Sequence, residues 1–471
     1  MADERYEEHL THPVGRGHAP AGAASGAAGG AACGDLVRLD VVVRAGAVAD
    51  AGFEASGCGA VIAAGSAAVD LVRGRPVLEA ARIGSADLSG ALGGLSPGKL
   101  HAADLAADAL ARALGSATAA ADPIAPVPGR VLVAMSGGVD SAVAALLSAR
   151  EGGEVAAVTL ELWRDPENDG ERSCCSASAV RTARSLAHRM GLPHLTLDLR
   201  DAFRAGVVDP WLADHAAGLT PNPCVRCNGS VRLDAMLDLA DRLGAEALAT
   251  GHYARKDQDT GLLRLASDPA KDQAYMLAGL SRPSLARLRF PLGELRKPDV
   301  RALAAEHDLP VASTPDSQDL CFLAGTGRGA FLARHGGLAD REGDLVDTAG
   351  RRLGRHRGAH LYTVGQRRGL GADGGTGAPL YVLRTDVETN TVTVGPREQL
   401  ATDVVAVRDL RLHAPAAEVD AVKLRYRAAP VPCTLAGDAV RLAQPVLGAA
   451  PGQTAVFLRG DRVLGCATIS S

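Results

Sequence analysis

The cysteines of this chain are grouped in ways that suggest metal binding or sulfur chemistry. Cys224 and Cys227 form a CxxC pair in the segment TPNPCVRCN, and Cys321 follows a polar stretch in DSQDLCF. A CxxC pair serves as half of a zinc site, as a redox dithiol or as ligands of an iron–sulfur cluster. A zinc site needs a second pair, which Cys174 and Cys175 would supply. The two prolines of TPNPCVRCN predict that its cysteines lie on a loop.

A second chemical feature is the stretch VLVAMSGGVDSAVAALL at residues 131–147. Its first five residues are a continuous apolar run typical of a buried parallel strand, and from Val139 the apolar positions have helical spacing. A strand that turns through SGG directly into a helix directs several backbone N–H groups to one point, where phosphate oxygens bind. No GKS or GKT follows, so this is not a Walker A loop. The glycines alone are also compatible with an ordinary strand-to-helix turn.

A third group of chemically active residues lies near the N-terminus. Cys33 and Asp35 in ACGD, Cys58 in GCGA and His101 in KLHAADL come from separate segments. Thiolates, an imidazole and a carboxylate together suit zinc or an iron–sulfur cluster. The alternative is two buried cysteines and a surface histidine with no shared function.

Composition limits the classes of protein to which this chain can belong. The chain has 471 residues, which predicts several domains. Aromatic residues make up only 3%, so we expect cores of Leu, Val and Ala. The net charge is −4. No apolar run of about 18 residues and no basic-then-apolar leader is present, which predicts a cytoplasmic protein with no membrane partner. Cys433 and Cys466 lie in strand-like segments and are predicted to be packing residues.

The element pattern predicts a parallel sheet in the middle of the chain. Predicted strands alternate with predicted helices, and ligands of such sheets bind at the carboxyl ends of the strands. The predicted strands are 130–135, 154–161, 194–199 and 246–250, and the predicted helices are 139–149, 176–190 and 231–243. Short alternating runs after residue 379 predict antiparallel strands that close into a β-barrel.

Seven motifs then occur in the same order as in the tRNA-specific 2-thiouridylases, which this chain resembles from about residue 130 to 471. They are SGGVDS, CCS at 174–176, TPNPCVRCN, ATGHYA, KDQAYML at 271–277, DSQDLCF and TVGQRRGLG at 363–371. The resemblance implies ATP-dependent 2-thiolation of the wobble uridine of tRNA, by adenylation of the C2 oxygen and transfer of sulfur. It also implies Mg²⁺, tRNAs of the Lys, Glu and Gln type, and a sulfur donor such as a cysteine desulfurase or a sulfur relay protein.

The same resemblance implies roles for individual residues. Cys227 corresponds to the nucleophile and Cys321 to the cysteine that carries a persulfide. The expected ATP contacts are Ala134, Met135, Ser136, Gly137, Gly138, Val139, Asp140, Ser141, Leu160 and Gly251. The expected tRNA contacts are Asn222, Pro223, Cys224, His252, Lys271, Asp272, Gln273, Arg425, Tyr426 and Gln453.

One departure from the family pattern bears on the sulfur donor. Well-known members have Asp where this chain has Cys224. With Cys227 and Cys321, this makes three thiolates, the number that would hold a 4Fe–4S cluster and leave one iron open for sulfide. The sequence therefore leaves two routes, a persulfide on Cys321 and a cluster-bound sulfide. Two other functions also remain: another adenylating ligase with this ATP loop, and an iron–sulfur carrier with a regulatory ATP site.

Residues 29–114 resemble the NifU-like iron–sulfur scaffold family. There the last motif usually reads His-Cys, whereas here Ala102 follows His101, so one scaffold cysteine is missing. We therefore expect a carrier or docking role more than an assembly role, with Cys33, Asp35, Cys58 and His101 still able to hold a labile cluster or zinc. The predicted fold is multidomain: a small α+β scaffold domain, an α/β parallel-sheet ATP domain, a small central domain and an antiparallel β-barrel.

The predicted boundaries follow shifts in composition. The ranges are a mobile segment at 1–30, the scaffold domain at 31–115, a linker at 116–129, the ATP domain at 130–318, a central tRNA-binding domain at 319–378 and the barrel at 379–471. Six arginines at 351, 352, 355, 357, 367 and 368 form the densest basic stretch, which we expect to contact tRNA phosphates.

Overall fold

The computed structural model describes residues 2–30, 34–165, 177–316, 320–323, 325–370 and 379–470. Cys33, Cys174 and Cys175, which the sequence singled out, lie outside these residues. The chain divides into two compact units. The first contains Met1–Arg200, Ala235–His252 and Arg287–Cys321, and the second contains Asp201–Asp234, Tyr253–Ala286 and Phe322–Ser471.

The first unit begins with a three-stranded antiparallel sheet covered by helices. Its strands are Ala24–Gly29, Leu36–Arg44 and Ala47–Ser56, in that order. The helices are Ala2–Thr11, Gly59–Val72, Val77–Ala80, Ser85–Ala91 and Leu100–Ala120, with a 3₁₀ turn at Pro97–Lys99. This is the predicted small α+β domain, and we call it the scaffold domain.

The prediction that residues 1–30 are a mobile segment is wrong. Helix Ala2–Thr11 packs on the next helix, where the hydroxyl of Ser66 is 2.8 Å from both His9 Nδ1 and the backbone nitrogen of Val14. Strand Ala24–Gly29 passes so close to helix Leu100–Ala120 that a Cβ on Gly26 would lie 2.2 Å from the backbone nitrogen of Ala113. Small residues allow this close approach, and they also hide the period-2 pattern that would have predicted a strand.

The second part of the first unit is a five-stranded parallel sheet, which we call the ATP domain sheet. Its strand order is Leu288–Arg289, Ala247–Thr250, Val131–Ala134, Val155–Glu161 and His194–Asp198. The helices around it are Val139–Arg150, Ala177–Arg189, Leu233–Arg242 and Lys297–Glu306. The predicted alternation of strands and helices is confirmed, with boundaries shifted by one to two residues.

The long helix Leu100–Ala120 belongs to both halves of the first unit. One face packs on the scaffold strands, and the other packs along the edge strand His194–Asp198. Gly115 lies so close to this strand that a Cβ there would be 2.0 Å from the carbonyl oxygen of Thr196. The predicted linker at 116–129 is therefore wrong over its first five residues, because the helix continues to Ala120 and Thr118 is buried.

Polar contacts complete this interface. The backbone N–H of His194, on the edge strand, donates to the carbonyl of Ala81 in the scaffold domain at 2.9 Å. Asp108 and Arg184 form an ion pair at 2.5 Å with both side chains less than 10% exposed. Burial lowers the pKa of His188 and His194 beside this contact, so both imidazoles are neutral.

The second unit contains a four-stranded sheet in the order Arg352–His356, Gly343–Val346, Thr391–Gly395 and Tyr381–Asp386. The last two strands were predicted to belong to the barrel, which is wrong. Strand Thr391–Gly395 pairs in parallel with Gly343–Val346 instead. An alternating pattern predicts a strand but does not indicate the sheet that the strand joins.

The barrel of the second unit is confirmed. Its strands follow the order Ala401–Leu412, Ala439–Leu447, Val431–Ala436, Ala421–Lys423, Thr454–Arg459 and Arg462–Ile469, and the first pairs with the last to close it. A hairpin of Arg255–Lys256 and Leu263–Arg264 extends this sheet. Burial raises the pKa of the Cys433 and Cys466 thiols to about 11, which agrees with their predicted packing role.

Short helices fill the rest of the second unit. They are Arg200–Phe203, Asp209–Ala216, Pro223–Cys227, Ala274–Leu277, Arg282–Arg287 and Arg328–Gly336, together with π-helical turns at Arg204–Val208 and Asn228–Arg232. The 3₁₀ turns are Ala359–Leu361, Arg397–Leu400 and Ala416–Glu418. Among the residues that the structure describes, no helix combines the length and apolarity that a membrane span requires.

The close approach at Gly115 makes a prediction about stability. In a helix, Gly→Ala normally stabilises by about 0.5–1 kcal/mol, because alanine loses less conformational entropy. We expect Gly90→Ala, whose Cβ would meet nothing within 4 Å, to follow this rule. Gly115→Ala should instead destabilise by about 1–3 kcal/mol, because its Cβ overlaps the carbonyl of Thr196. Urea unfolding of both variants measures the difference, and equal effects would contradict the packing described here.

Candidate active site

The SGGVDS segment forms a tight turn at the carboxyl end of strand Val131–Ala134. Gly137 has a φ of +78°, and a Cβ on it would lie 2.8 Å from the carbonyl oxygen of Ala179, so glycine is required on both counts. Helix Val139–Arg150 begins immediately after Gly138, its N-cap residue. The turn therefore presents backbone N–H groups and a helix N-terminus to one place, as predicted for a phosphate site.

Internal hydrogen bonds hold this turn in shape. The backbone N–H of Ser136 donates to the hydroxyl of Ser141 at 3.1 Å, and that hydroxyl donates to the carbonyl of Gly138 at 3.0 Å. Gly251 follows the neighbouring strand, and a Cβ there would lie 2.8 Å from the backbone nitrogen of Ser141. The structure thus brings Gly251 to the SGGVDS turn, where the resemblance expected it.

The remaining predicted ATP residues lie at the end of the central strand and on its other neighbour, strand Val155–Glu161. Met135 donates its backbone N–H to Val158 at 2.8 Å, which joins the turn to strand Val155–Glu161. Leu160 is on that strand and is 8% exposed. Ala134 ends the central strand and is partly buried. All lie at the carboxyl end of a parallel sheet, where ligands of such sheets bind.

Lys297 is a site residue that the sequence reasoning missed. Its ammonium lies 2.7 Å from both carboxylate oxygens of Asp140, in the SGGVDS turn, and 2.9 Å from Asp316 Oδ1, and the lysine side chain is 9% exposed. Lys297 is the first residue of helix Lys297–Glu306, where the positive end of the helix dipole disfavours a cation. A lysine at the first position of a helix is unfavourable, and this is the sequence signal that could have identified Lys297 as a site residue.

The Lys297 bridge joins two of the sequence motifs. Asp140 belongs to SGGVDS and Asp316 begins DSQDLCF, which leads to the predicted persulfide cysteine. Arg301 donates to Asp316 at 2.9 Å and strengthens the same contact. Residues 317–319 lie outside the described residues, and Cys321 is partly exposed at the end of the first unit.

The CxxC pair lies in the second unit, and the prediction that it is on a loop is wrong. Residues Pro223–Cys227 form one helical turn. Proline is tolerated there because it occupies the first helical position, and Asn222 caps the turn by accepting the backbone N–H of Cys224 at 3.1 Å. A spacing of three residues places both thiols on the same side of the turn. Cys227 is 7% exposed and Cys224 is partly exposed.

Several predicted tRNA residues surround this turn within the second unit. The side-chain amide of Gln453 donates to the carbonyl of Thr220 at 2.6 Å and supports the start of the TPNPC segment. The ring of Tyr426 lies 6.0 Å from that of Tyr275, whose pKa is raised by burial. Burial and then the charge of Asp272 raise the pKa of the Tyr426 hydroxyl, and Cys224 acts in the same direction. These side chains therefore lie near the CxxC turn.

Two of the predicted tRNA residues have internal partners. Asp272 is 7% exposed, accepts the backbone N–H of Ala266 at 3.0 Å and lies 3.4 Å from the ammonium of Lys423, which places it in the protein interior. Its carboxylate therefore serves the interior of the second unit, and its tRNA contact stays a prediction. Gln273 accepts the backbone N–H of Tyr253 at 3.0 Å.

Three further predicted tRNA residues occupy different surroundings. Lys271 is partly buried beside Asp272. Arg425 donates to the carbonyls of Leu447 and Gly448 at 3.1 and 2.6 Å. His252 is in the first unit, where it is 9% exposed and its Nδ1 lies 2.9 Å from the hydroxyl of Thr250.

The basic stretch of the central domain is largely neutralised by nearby acids. Arg351, Arg355 and Arg357 form ion pairs of 2.8, 2.8 and 2.6 Å with Asp347, Glu342 and Asp340. Arg367 and Arg368 are exposed. Paired arginines offer less positive potential to a phosphate, so the sequence run overstates the charge of this surface.

The scaffold domain brings Asp35, Cys58 and His101 together, as predicted. One ligand atom from each lies within 4.8 Å of the others. His101 Nε2 is 2.8 Å from the carboxylate of Asp35, and the backbone N–H of Cys58 donates to that carboxylate at 2.7 Å. Both hydrogen bonds lower the pKa of Asp35, and the one from the Cys58 backbone has the larger effect. Sulfur, nitrogen and oxygen donors at this separation fit zinc or iron. Ala102, in place of the family cysteine, is fully buried.

Comparisons with known families agree with this division of the chain. Four family models match: a NifU-like N-terminal domain, a tRNA methyl transferase HUP domain, a tRNA methyl transferase PRC-barrel domain and an aminomethyltransferase beta-barrel domain, over residues 3–120, 129–325, 329–396 and 403–469. Among solved structures, an NMN synthetase from Francisella tularensis aligns with 41% of the chain at a TM-score of 0.26 and 19% identity, which is too distant to support an argument.

Curated relatives match over most or all of the chain. The bifunctional protein NifU/MnmA of Rubrobacter xylanophilus is 44% identical over 97% of this chain and 96% of its own length. The tRNA-specific 2-thiouridylases MnmA of Salinispora tropica and Thermus thermophilus are 47% and 46% identical, cover 73% and 72% of this chain, and are themselves covered to 99% and 94%. The chain therefore belongs to the tRNA-specific 2-thiouridylase MnmA family, in the form that carries a NifU-like domain at its N-terminus.

Proposed function

We propose that this chain is an ATP-dependent sulfurtransferase that converts the wobble uridine of tRNA to 2-thiouridine. The observation that supports this most strongly is the Lys297 bridge, because it joins the ATP turn to the segment that leads to Cys321. An adenylating turn and a sulfur-carrying cysteine are the two parts that this reaction needs. Family membership supports the same activity.

ATP is needed because the C2 oxygen of uracil is a poor leaving group. In our proposal this oxygen attacks the α-phosphorus of ATP, pyrophosphate leaves, and the oxygen becomes part of a phosphate ester that departs readily as AMP. The turn at 136–141 binds the phosphates through backbone N–H groups, with Leu160 and Gly251 beside it. Lys297 fixes the Asp140 carboxylate beside the turn, and this carboxylate would offer oxygen ligands, which Mg²⁺ prefers.

Sulfur transfer then follows one of two routes. In the persulfide route, the terminal sulfur on Cys321 attacks C2 and displaces AMP. The thiolate of Cys227 next attacks the Cys321 sulfur, which releases 2-thiouridine and leaves a Cys227–Cys321 disulfide that a cellular thiol reduces. A cysteine desulfurase or a sulfur relay protein would restore the persulfide.

The second route uses three thiolates in place of the persulfide. Cys224, Cys227 and Cys321 would hold a 4Fe–4S cluster, which when bound supplies an open iron for sulfide. The shared helical turn of Cys224 and Cys227 fits this ligand set, because it presents two thiols on one side. The protein's own part is to hold these thiols and to keep the adenylated base beside them.

The tRNA contacts that we propose lie in the second unit around the CxxC turn. Asn222 and Cys224 would face a uridine that has left the anticodon stack. Tyr426 offers a ring beside them, and Lys271 and Arg425 offer positive charge. We expect tRNAs of the Lys, Glu and Gln type as substrates, in the cytoplasm.

Cys321→Ser tests the proposed function directly. Without this thiol neither route can deliver sulfur, so we expect 2-thiouridine to fall to a few per cent or less of the wild-type level while ATP binding is kept. Mass spectrometry of nucleosides from tRNA of a depleted strain, complemented with each variant, measures the modification. The matched control is Cys433→Ala, a barrel cysteine that should leave thiolation unchanged. Normal thiolation by Cys321→Ser would overturn the assignment.

Cys224→Asp separates the two sulfur routes, since it restores the residue of well-known family members. We expect thiolation to be lost, because an aspartate leaves only two of the three proposed thiolate ligands. The measurement is anaerobic thiolation of unmodified tRNA by purified protein, together with iron content. Full activity of this variant without iron would exclude the cluster route and leave the persulfide route.

Lys297→Met tests the bridge between the ATP turn and Asp316. Removing the ammonium leaves two carboxylates facing each other beside the phosphate site, so we expect pyrophosphate release to fall by about 10²–10³-fold, the range for loss of one preorganised charge. Lys99→Met, on the scaffold surface, is the matched control. Pyrophosphate release at the wild-type rate by folded Lys297→Met would show that the bridge has no part in adenylation.

A further inference from the structure

The scaffold domain supplies one side of an ion pair at the ATP end of the sheet. Arg112, on the long helix, donates to both carboxylate oxygens of Glu161, with its Nη2 2.7 Å from Oε1 and its Nε 3.1 Å from each oxygen. The arginine and glutamate side chains are 18% and 15% exposed, respectively. A two-point pair that is this well shielded from water is stronger than a surface salt bridge.

Glu161 occupies a position where an uncompensated charge would oppose ATP binding. It is the last residue of strand Val155–Glu161 and directly follows Leu160, a predicted ATP contact. This strand pairs with Val131–Ala134, which leads into the SGGVDS turn. Val158 pairs with Ala134 at the start of that turn. Glu161 is three residues after Val158, which is about 10 Å along the strand at the usual rise per residue. An unpaired carboxylate at this end of the sheet would repel a triphosphate bound at the turn through a partly desolvated medium.

A second carboxylate at this edge is balanced in a different way. Asp198 ends the edge strand and pairs with Arg200 at 2.9 Å, so its main counterion comes from the ATP domain itself, and Arg112 adds a weaker attraction. Arg112 comes from the scaffold domain and is fixed there, because Gly115 of the same helix touches the backbone of Thr196. The scaffold domain is thus built into the electrostatic surroundings of the ATP site.

We propose that Arg112 is a positioning residue for ATP: it neutralises Glu161 and holds the end of its strand, so that the scaffold domain sets the ATP affinity of the neighbouring domain. This proposal rests on the ATP site described under the proposed function. It gives the fused domain a role that does not require it to carry any metal or sulfur.

The test is the ATP dissociation constant of the full-length protein at low salt. We expect Arg112→Met to weaken ATP binding about tenfold, the range of site-to-site coupling. The double variant Arg112→Met/Glu161→Gln should recover most of this loss, because the carboxylate that Arg112 pairs with directly has been removed. The weakening should also shrink in high salt, since salt screens the exposed carboxylate. Arg38→Met, which removes a scaffold arginine paired with Asp40, is the matched control and should bind ATP normally.

Two outcomes would overturn the proposal. Unchanged ATP affinity in Arg112→Met would show that Glu161 does not influence the site. A loss that Glu161→Gln fails to restore would show that Arg112 serves only to hold the fold. Failure of the proposed function is distinguishable, because it would appear as ATP binding by the wild type without thiolation of tRNA.

Discussion

The packing of one helix between two domains is the constraint on which the first unit depends. Helix Leu100–Ala120 touches a scaffold strand at Gly26 and the ATP domain sheet at Gly115, within a stretch rich in alanine and glycine. Larger side chains on either face would separate the layers. The edge strand of the sheet is covered by this helix, so its unpaired backbone groups are protected from association with other chains. The scaffold domain is therefore a structural part of the ATP domain.

This packing changes how a fused scaffold domain can assist thiolation. A flexible linker would raise the effective concentration of a carrier and let it move between partners. Buried contacts such as Asp108 with Arg184 instead fix the site formed by Asp35, Cys58 and His101 relative to the SGGVDS turn. Any group bound at that site must then be loaded and released in place.

The sequence predicted the chemistry better than the connections between its parts. Strong local patterns identified the parallel sheet, the phosphate turn and the barrel, because apolar periodicity and the SGGVDS string are encoded in neighbouring residues. The Lys297 bridge was missed because its partners Asp140 and Asp316 are distant in sequence, and a single lysine has no local pattern. The N-terminal strand was missed because alanine and glycine, which its close packing requires, carry no alternation. The burial of Asp272 was not predicted, because a motif shows that a residue matters but does not show whether its side chain faces solvent or the core.

The docking of the scaffold domain is the claim most directly open to measurement. The backbone N–H of His194, in the edge strand, donates to Ala81 across the domain interface, so its hydrogen exchange reports whether the interface opens. Hydrogen exchange of the full-length protein should find the peptide that spans residues 193–199 protected as strongly as the central strand Val131–Ala134. Rapid exchange of this peptide while the central strand stays protected would show that the domains separate in solution and would contradict the account.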